Sequence, residues 1–164
     1  MAINWILPVR GLQAVLSCAV LGLMSYVASW WSTHWRQFSP HEVNFLIFSP
    51  VWSLLALAAL VVLPWKAPSL ASQKRARIGL LALDALTMLY WFAGFVALAV
   101  FLADRICFGT VCAIAKASVA VSAMSWVAWT ATTVVGAVRL FRGGFGGGSG
   151  SGTAEAKVEM HQGV

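Results

Sequence analysis

The sequence predicts an all-α integral membrane protein, a bundle of four transmembrane helices with both termini in the cytosol. Of its 164 residues, 60% are hydrophobic and only 10% are charged, whereas a soluble domain carries roughly 25% charged residues. The hydrophobic residues form four long runs, which short polar segments separate. Each run is long enough for a helix to cross the ~30 Å hydrocarbon core of a bilayer.

The chain is predicted to form one membrane domain over residues 1–142, followed by a tail. The first run is longer than the ~7–15-residue core of a signal peptide, so we interpret it as an uncleaved helix. Residues 143–164 are rich in glycine and serine and then polar. Such a composition cannot bury a core and predicts a disordered cytosolic tail. The four predicted helices span about residues 10–31, 43–63, 78–102 and 112–141.

The third run stands out because it carries one charged residue, Asp84, in its interior. Placing a carboxylate at the centre of a membrane helix costs at least ~2.5 kcal/mol, so such a residue is either paired or used. Asp84 follows Arg77 by seven residues, which places it ~10 Å in from the cytosolic end of its helix. Arg10 and Gln13 lie in the same half of the first helix. The sequence therefore predicts a buried polar cluster of Arg10, Gln13 and Asp84.

Two alternatives for Asp84 stay open at this point. The carboxylate carries protons or ions, or it snorkels to the interface or sits in a local water defect. The residues at helical spacing along the same face are bulky. They are Met88, Trp91, Phe95 and Leu98. Bulky apolar groups of this kind fit packing or lipid contact better than an aqueous path.

The basic residues predict the orientation. With four helices, both termini and the second loop lie on one side, which holds eight of the 11 lysines and arginines. The positive-inside rule therefore places this side in the cytosol. Because these residues flank apolar runs, they indicate topology rather than a phosphate-binding stripe, and we expect no nucleic-acid partner. They are Arg10, Lys66, Lys74, Arg75, Arg77, Arg139, Arg142 and Lys157.

On the opposite side, two further groups of residues are candidates for local contacts. Cys107 and Cys112 bracket the third loop on a side where disulfides persist, and we predict a bridge between them. Lys116 lies one turn into the fourth helix. Its ammonium either extends to the interface while its stem stays buried, or it pairs with Asp104 or Glu42.

The sequence offers no pattern typical of a catalytic, metal or cofactor site. It has three cysteines and three histidines, without a C-x-x-C or an H-x-x-x-H spacing, so we expect no zinc or haem site. The glycines after Arg142 follow a helix and precede neither a strand nor a helix, which excludes a phosphate-binding loop by context. We therefore expect no cofactor and no enzyme activity.

Four stretches carry a resemblance to a known family. They are RGLQAVLSCAVLGLMSYV at 10–27, VNFLIFSPVWSLLAL at 43–57, LDALTMLYWFAGFVALA at 83–99 and C-x-x-x-x-C-x-x-x-K at 107–116. With the short first and third loops, they resemble the MARVEL-like membrane domain, specifically its fungal branch, which is related to the non-classical export proteins. The resemblance covers roughly residues 5–142 and implies no enzyme activity.

The resemblance also implies a function and a location. Proteins of this type organise lipid microdomains or plasma-membrane compartments and act in vesicle trafficking, in the plasma membrane or secretory-pathway membranes. The implied partners are membrane lipids, and other membrane proteins or a second copy through small-residue helix faces such as Ala14, Cys18 and Gly22. Two other functions stay open: a small transporter or channel that uses Asp84, and an accessory subunit of a membrane complex.

Overall fold

The described part of the chain is entirely built around four long helices. The computed structural model describes residues 6–36, 39–66, 73–104 and 109–145. All four helices are long and apolar enough to cross a membrane, which confirms the predicted four-helix class. The orientation of the termini stays a prediction. The helices are α1 (Ile6–Trp35), α2 (His41–Lys66), α3 (Lys74–Ala103) and α4 (Thr110–Phe145).

Each helix extends a few residues beyond its predicted bounds. The hydrophobic run defines only the part that crosses hydrocarbon, whereas the backbone continues as a helix into the polar interface. The longest helix, α4, has 36 residues and therefore a length of ~54 Å. It includes residues 143–145, which the sequence predicts as the start of the tail, and the rest of that tail lies outside the described residues.

The helix ends follow from local backbone geometry. After α1, Arg36 adopts a positive φ of 48°, a left-handed conformation that stops a helix. Gln73, before α3, has extended backbone, and the amide of Asp104 closes the last turn of α3 by donating to the Val100 carbonyl. Gly109, before α4, has a φ of 91°, which is readily accessible only to glycine.

The four helices form a square. Both α1 and α3 pack against α2 and α4, whereas no Cα atoms of the described residues approach within 8 Å across either diagonal. The centre of the square is therefore filled by side chains alone. The largest of these are fully buried, namely Trp91, Trp129, Met24, Leu46 and Leu98.

Small hydroxyl residues line much of the interior. Most of their side chains donate to a backbone carbonyl one turn earlier in the same helix, as Ser17 does to Gln13 and Ser53 does to Ser49, both at 2.8 Å. A hydroxyl satisfied in this way adds little bulk, so neighbouring helices can approach closely in lipid. The buried hydroxyl residues are Ser17, Ser49, Ser53, Thr87, Ser118, Ser122 and Ser125.

Most of the small-residue face of α1 points away from this interior. Cys18 and Gly22 are exposed, and no atom lies within 4 Å of a Cβ built on Gly22. The inward face of α1 carries Gln13 and Ser17 instead. Ala14 is half-buried and packs against the hydrophobic core. The rest of the face, at Cys18 and Gly22, lies outside the bundle, and its contact with another helix stays a proposal.

Candidate functional site

Arg10 and Asp84 form an ion pair across the diagonal of the square. Arg10 Nη1 donates to Asp84 Oδ1, and Nη2 donates to Oδ2, both at 2.7 Å. This bidentate arrangement is the strongest geometry available to a guanidinium and a carboxylate. The two side chains are only 11% and 7% exposed. The pair therefore connects α1 and α3, whose backbones do not meet.

Gln13 links this pair to α4. Its side-chain oxygen accepts a hydrogen bond from Arg10 Nη1 at 3.0 Å. Its Nε2 donates to the Ala128 carbonyl at 3.1 Å and to Thr132 Oγ1 at 3.2 Å. Because Gln13 is fully buried, each of these bonds satisfies a group that lipid cannot solvate. The structure thus brings together the three side chains of the predicted cluster and ties them to a third helix.

Trp129 of α4 completes the surroundings of the guanidinium. Arg10 Cζ lies 5.3 Å from the centroid of the Trp129 ring, within the range of a cation–π contact. Trp129 is fully buried, and its indole N–H has no hydrogen-bond partner in the described part of the chain. Trp129 therefore contacts Arg10 through the face of its ring and not through its indole N–H.

A second set of polar contacts joins α2 and α3 beside the pair. Trp91 Nε1 donates to Ser53 Oγ at 2.8 Å, and Trp52 Nε1 donates to Thr87 Oγ1 at 3.2 Å. Trp91 and Leu98, on the same face of α3 as Asp84, fill the bundle centre as fully buried side chains. The Asp84 carboxylate therefore has packed side chains between it and the far end of the bundle.

A family model agrees with this architecture. The model of the MARVEL membrane-associating domain matches residues 4–135, which is most of the chain. The chain belongs to the MARVEL family. The matched range includes Arg10, Gln13 and Asp84. Because the model describes the family as a whole, membership of its fungal branch and relation to the non-classical export proteins stay predictions. No curated protein and no solved structure matches the chain.

This family membership gives the coarse function. MARVEL is a membrane-associating domain with four spans, and its members are generally not enzymes. The chain is accordingly a multi-pass integral membrane protein. The family match alone assigns no role to any individual residue.

At the other end of the MARVEL domain, the structure does not bring the predicted polar residues together. Lys116 and Asp104 are exposed, and Glu42 is half-buried. Within the described ranges, Arg10–Asp84 is the only ion pair with a nitrogen–oxygen distance below 4 Å. Lys116 forms no such pair with Asp104 or Glu42. This arrangement favours the alternative in which the Lys116 ammonium extends toward the interface.

The cysteines of the MARVEL domain differ in state. Cys112 is disulfide-bonded and buried, whereas Cys18 is free and exposed. The predicted partner, Cys107, lies outside the described residues. The pairing of Cys107 with Cys112 therefore stays a prediction.

The pairing can be measured on one tryptic peptide. Trypsin cleavage after Arg105 and Lys116 releases residues 106–116, which contain both cysteines. We expect this peptide to be two hydrogen atoms lighter without reductant than after reduction. Cys18 should take up a thiol label in both conditions and serves as the internal control. Labelling of Cys107 and Cys112 without reductant in the unfolded protein would contradict the pairing.

Several contacts of the site were not predicted from the sequence. Thr132, the Ala128 carbonyl and Trp129 all come from α4, and Trp91 and Ser53 join α2 to α3. The one sequence signal for the α4 residues is the four-residue spacing of Ala128, Thr132 and Gly136. That spacing indicates a close-packed helix face without showing which helix packs on it.

Proposed function

We propose that this MARVEL domain is a non-enzymatic membrane organiser, acting in lipid microdomains or plasma-membrane compartments and in vesicle trafficking. The observation that carries the proposal is the bidentate Arg10–Asp84 pair. Among the described residues, these are the only charges in the bundle interior, and they are directed at each other. The outward-facing large side chains are apolar, among them Leu55, Phe92 and Val127. Such an exterior offers the surrounding bilayer an apolar surface on every helix.

The lengths of the spans supply a physical route to lipid sorting. The shortest candidate span, in α2, has 23 residues, and the longest, in α4, has 33. At ~1.5 Å per residue the shortest already reaches ~34 Å. That length fits a plasma-membrane bilayer, with a core of ~32–33 Å, better than a thinner one of ~27 Å. Because mismatch costs free energy for every ångström, long helices gather where the bilayer is thick.

Partitioning between thick and thin bilayer domains tests this function. We expect the full-length protein, reconstituted in giant vesicles where both domains coexist, to concentrate several-fold in the thick domains. Vesicles without protein give the reference area of each domain. We expect the protein to enlarge the area of the thick domains. An even distribution of the protein with unchanged domain areas would contradict an organising role.

A transporter or channel is the second candidate, and the buried position of Asp84 is the observation that favours it. An intramembrane carboxylate is a functional-site hypothesis by default. For transport, however, Asp84 must leave Arg10 and reach both sides of the membrane. The fully buried Trp91 and Leu98 obstruct that path. An accessory-subunit role is a third candidate and would use the outward small-residue face of α1.

For location, we propose a plasma or secretory-pathway membrane with both termini in the cytosol. Within the described residues, Arg77 and Arg139 lie at the same end of the bundle as the start of α1. This concentration of positive charge at one end supports the cytosolic assignment through the positive-inside rule.

A further inference from the structure

A groove opens between α3 and α4 at the end of the bundle that holds the Arg10–Asp84 pair. Its volume is about 270 Å³, and Arg77 and Arg139 both line it. Arg77 lies in the first turns of α3 and Arg139 in the last turns of α4, and both are exposed. Neither guanidinium has an ion-pair partner among the described residues. The groove therefore presents two uncompensated positive charges at the membrane interface.

The remainder of the groove is apolar. Its walls are Leu80 and Leu81 from α3 and Leu140 from α4, with Gly136 between them. A Cβ on Gly136 would lie 3.1 Å from Leu81 Cδ1, so a larger side chain at this position would press on Leu81 and enter the groove. The groove thus combines a charged end with an apolar slot that leads toward the membrane interior.

Asp84 is the acidic residue that lines this groove, but its charge is already compensated. Both of its carboxylate oxygens accept hydrogen bonds from Arg10. Arg77 and Arg139 are therefore left for an external anion. An occupant that fits must bring negative charge to the two arginines and hydrocarbon to the leucines.

We propose that this groove binds one anionic phospholipid of the adjacent leaflet, with its phosphate between Arg77 and Arg139 and an acyl chain along Leu80, Leu81 and Leu140. Basic pockets between transmembrane helices on the cytoplasmic side bind anionic head groups in this way. A zwitterionic lipid brings its choline cation back toward the two arginines, and free phosphate gains nothing from the apolar walls. The proposal names a lipid class for the proposed organising function and rests on that function for its use.

Retention of lipid by matched double variants tests the proposal. The full-length protein is reconstituted in phosphatidylcholine vesicles with a minor fraction of phosphatidylserine, extracted in mild detergent, and the bound lipids are counted by native mass spectrometry. Arg77→Gln/Arg139→Gln removes the groove charges. Arg75→Gln/Arg142→Gln removes the same charge from the same ends of α3 and α4, at exposed positions outside the groove.

We expect wild type and Arg75→Gln/Arg142→Gln to retain one phosphatidylserine. Since each basic contact with an anionic lipid contributes about fivefold, affinity should fall roughly 25-fold in Arg77→Gln/Arg139→Gln. Equal losses in the two double variants would show a diffuse surface attraction and overturn the groove. A wild type that retains phosphatidylserine no better than phosphatidylcholine would overturn it as well.

A third variant blocks the slot without changing charge. Gly136→Leu fills the groove beside Leu81 and should also abolish retention; if it fails to fold, the charge variants decide. The partitioning experiment separates the two proposals. Sorting to thick domains without phosphatidylserine preference would overturn the groove alone, whereas retention without sorting would overturn the organising function alone.

Discussion

Replacing Asp84 by Asn should lower the free energy of unfolding of the bundle by roughly 2 kcal/mol. In soluble cores, breaking a buried ion pair costs roughly 3–5 kcal/mol, because the remaining charge is left without a partner. In membranes the cost is smaller, since the unfolded state in lipid also finds partners. Asn keeps the size of Asp84 and one acceptor oxygen, but its amide nitrogen cannot accept the second hydrogen bond from Arg10. It also leaves Arg10, only 11% exposed, without its counter-ion.

The second half of this prediction is rescue. Arg10→Gln removes the stranded charge, so Asp84→Asn/Arg10→Gln should recover part of the lost stability, which a double-mutant cycle in one lipid nanodisc preparation measures. Asp104→Asn is the matched control, because Asp104 is exposed at the end of the same helix and should change nothing. An Asp84→Asn protein as stable as wild type would show that the pair contributes no net stability.

Trp91→Ala should destabilise the bundle by a comparable amount, roughly 2–3 kcal/mol. Trp→Ala substitutions in soluble cores cost roughly 3–5 kcal/mol. In a bilayer the transfer part of that cost largely disappears, because lipid tails are as apolar as the core. The lost packing remains, and so does the loss of the 2.8 Å hydrogen bond to Ser53. Thermal or chaotrope unfolding in nanodiscs measures the change.

Two further variants separate packing from hydrogen bonding at this position. Trp91→Phe keeps most of the volume and should cost only about 1 kcal/mol for the lost hydrogen bond. Trp65→Ala is the control, because Trp65 is 78% exposed and its removal leaves no cavity. If Trp91→Ala were no worse than Trp65→Ala, the square packing around Trp91 would be wrong.

The contact between α1 and α3 could be predicted because charged and amide side chains are rare within the hydrophobic runs of these helices. Asp84, Arg10 and Gln13 lie at similar depths in a membrane that solvates none of them. Leaving these side chains unpaired in hydrocarbon costs free energy, so we expect them to contact each other. Membrane depth can be estimated from sequence by counting residues from the helix ends. The four membrane spans could be predicted from the four hydrophobic runs, although each helix continues past its run.

The α4 side of the site could not be predicted in this way. Whether Thr132 and the Ala128 carbonyl face Gln13 depends on the rotation of α4 about its axis, which small residues on several faces leave undetermined. The same ambiguity affects α1, where the face at Ala14, Cys18 and Gly22 looks suited to packing. Cys18 and Gly22 are directed outward, and only Ala14 contacts the core. In lipid, hydrophobicity does not distinguish inner from outer faces, so the polar residues carry most of the information.

We expect that Asp84 holds the bundle together and carries no solute. Proton flux into proteoliposomes under an imposed pH gradient tests this expectation, with wild type compared to the folded Asp84→Asn/Arg10→Gln protein. We predict that both proteins show only the leak of protein-free vesicles, while their stabilities differ as described. A saturable flux in wild type that disappears in the folded double variant would contradict this expectation and favour the transporter.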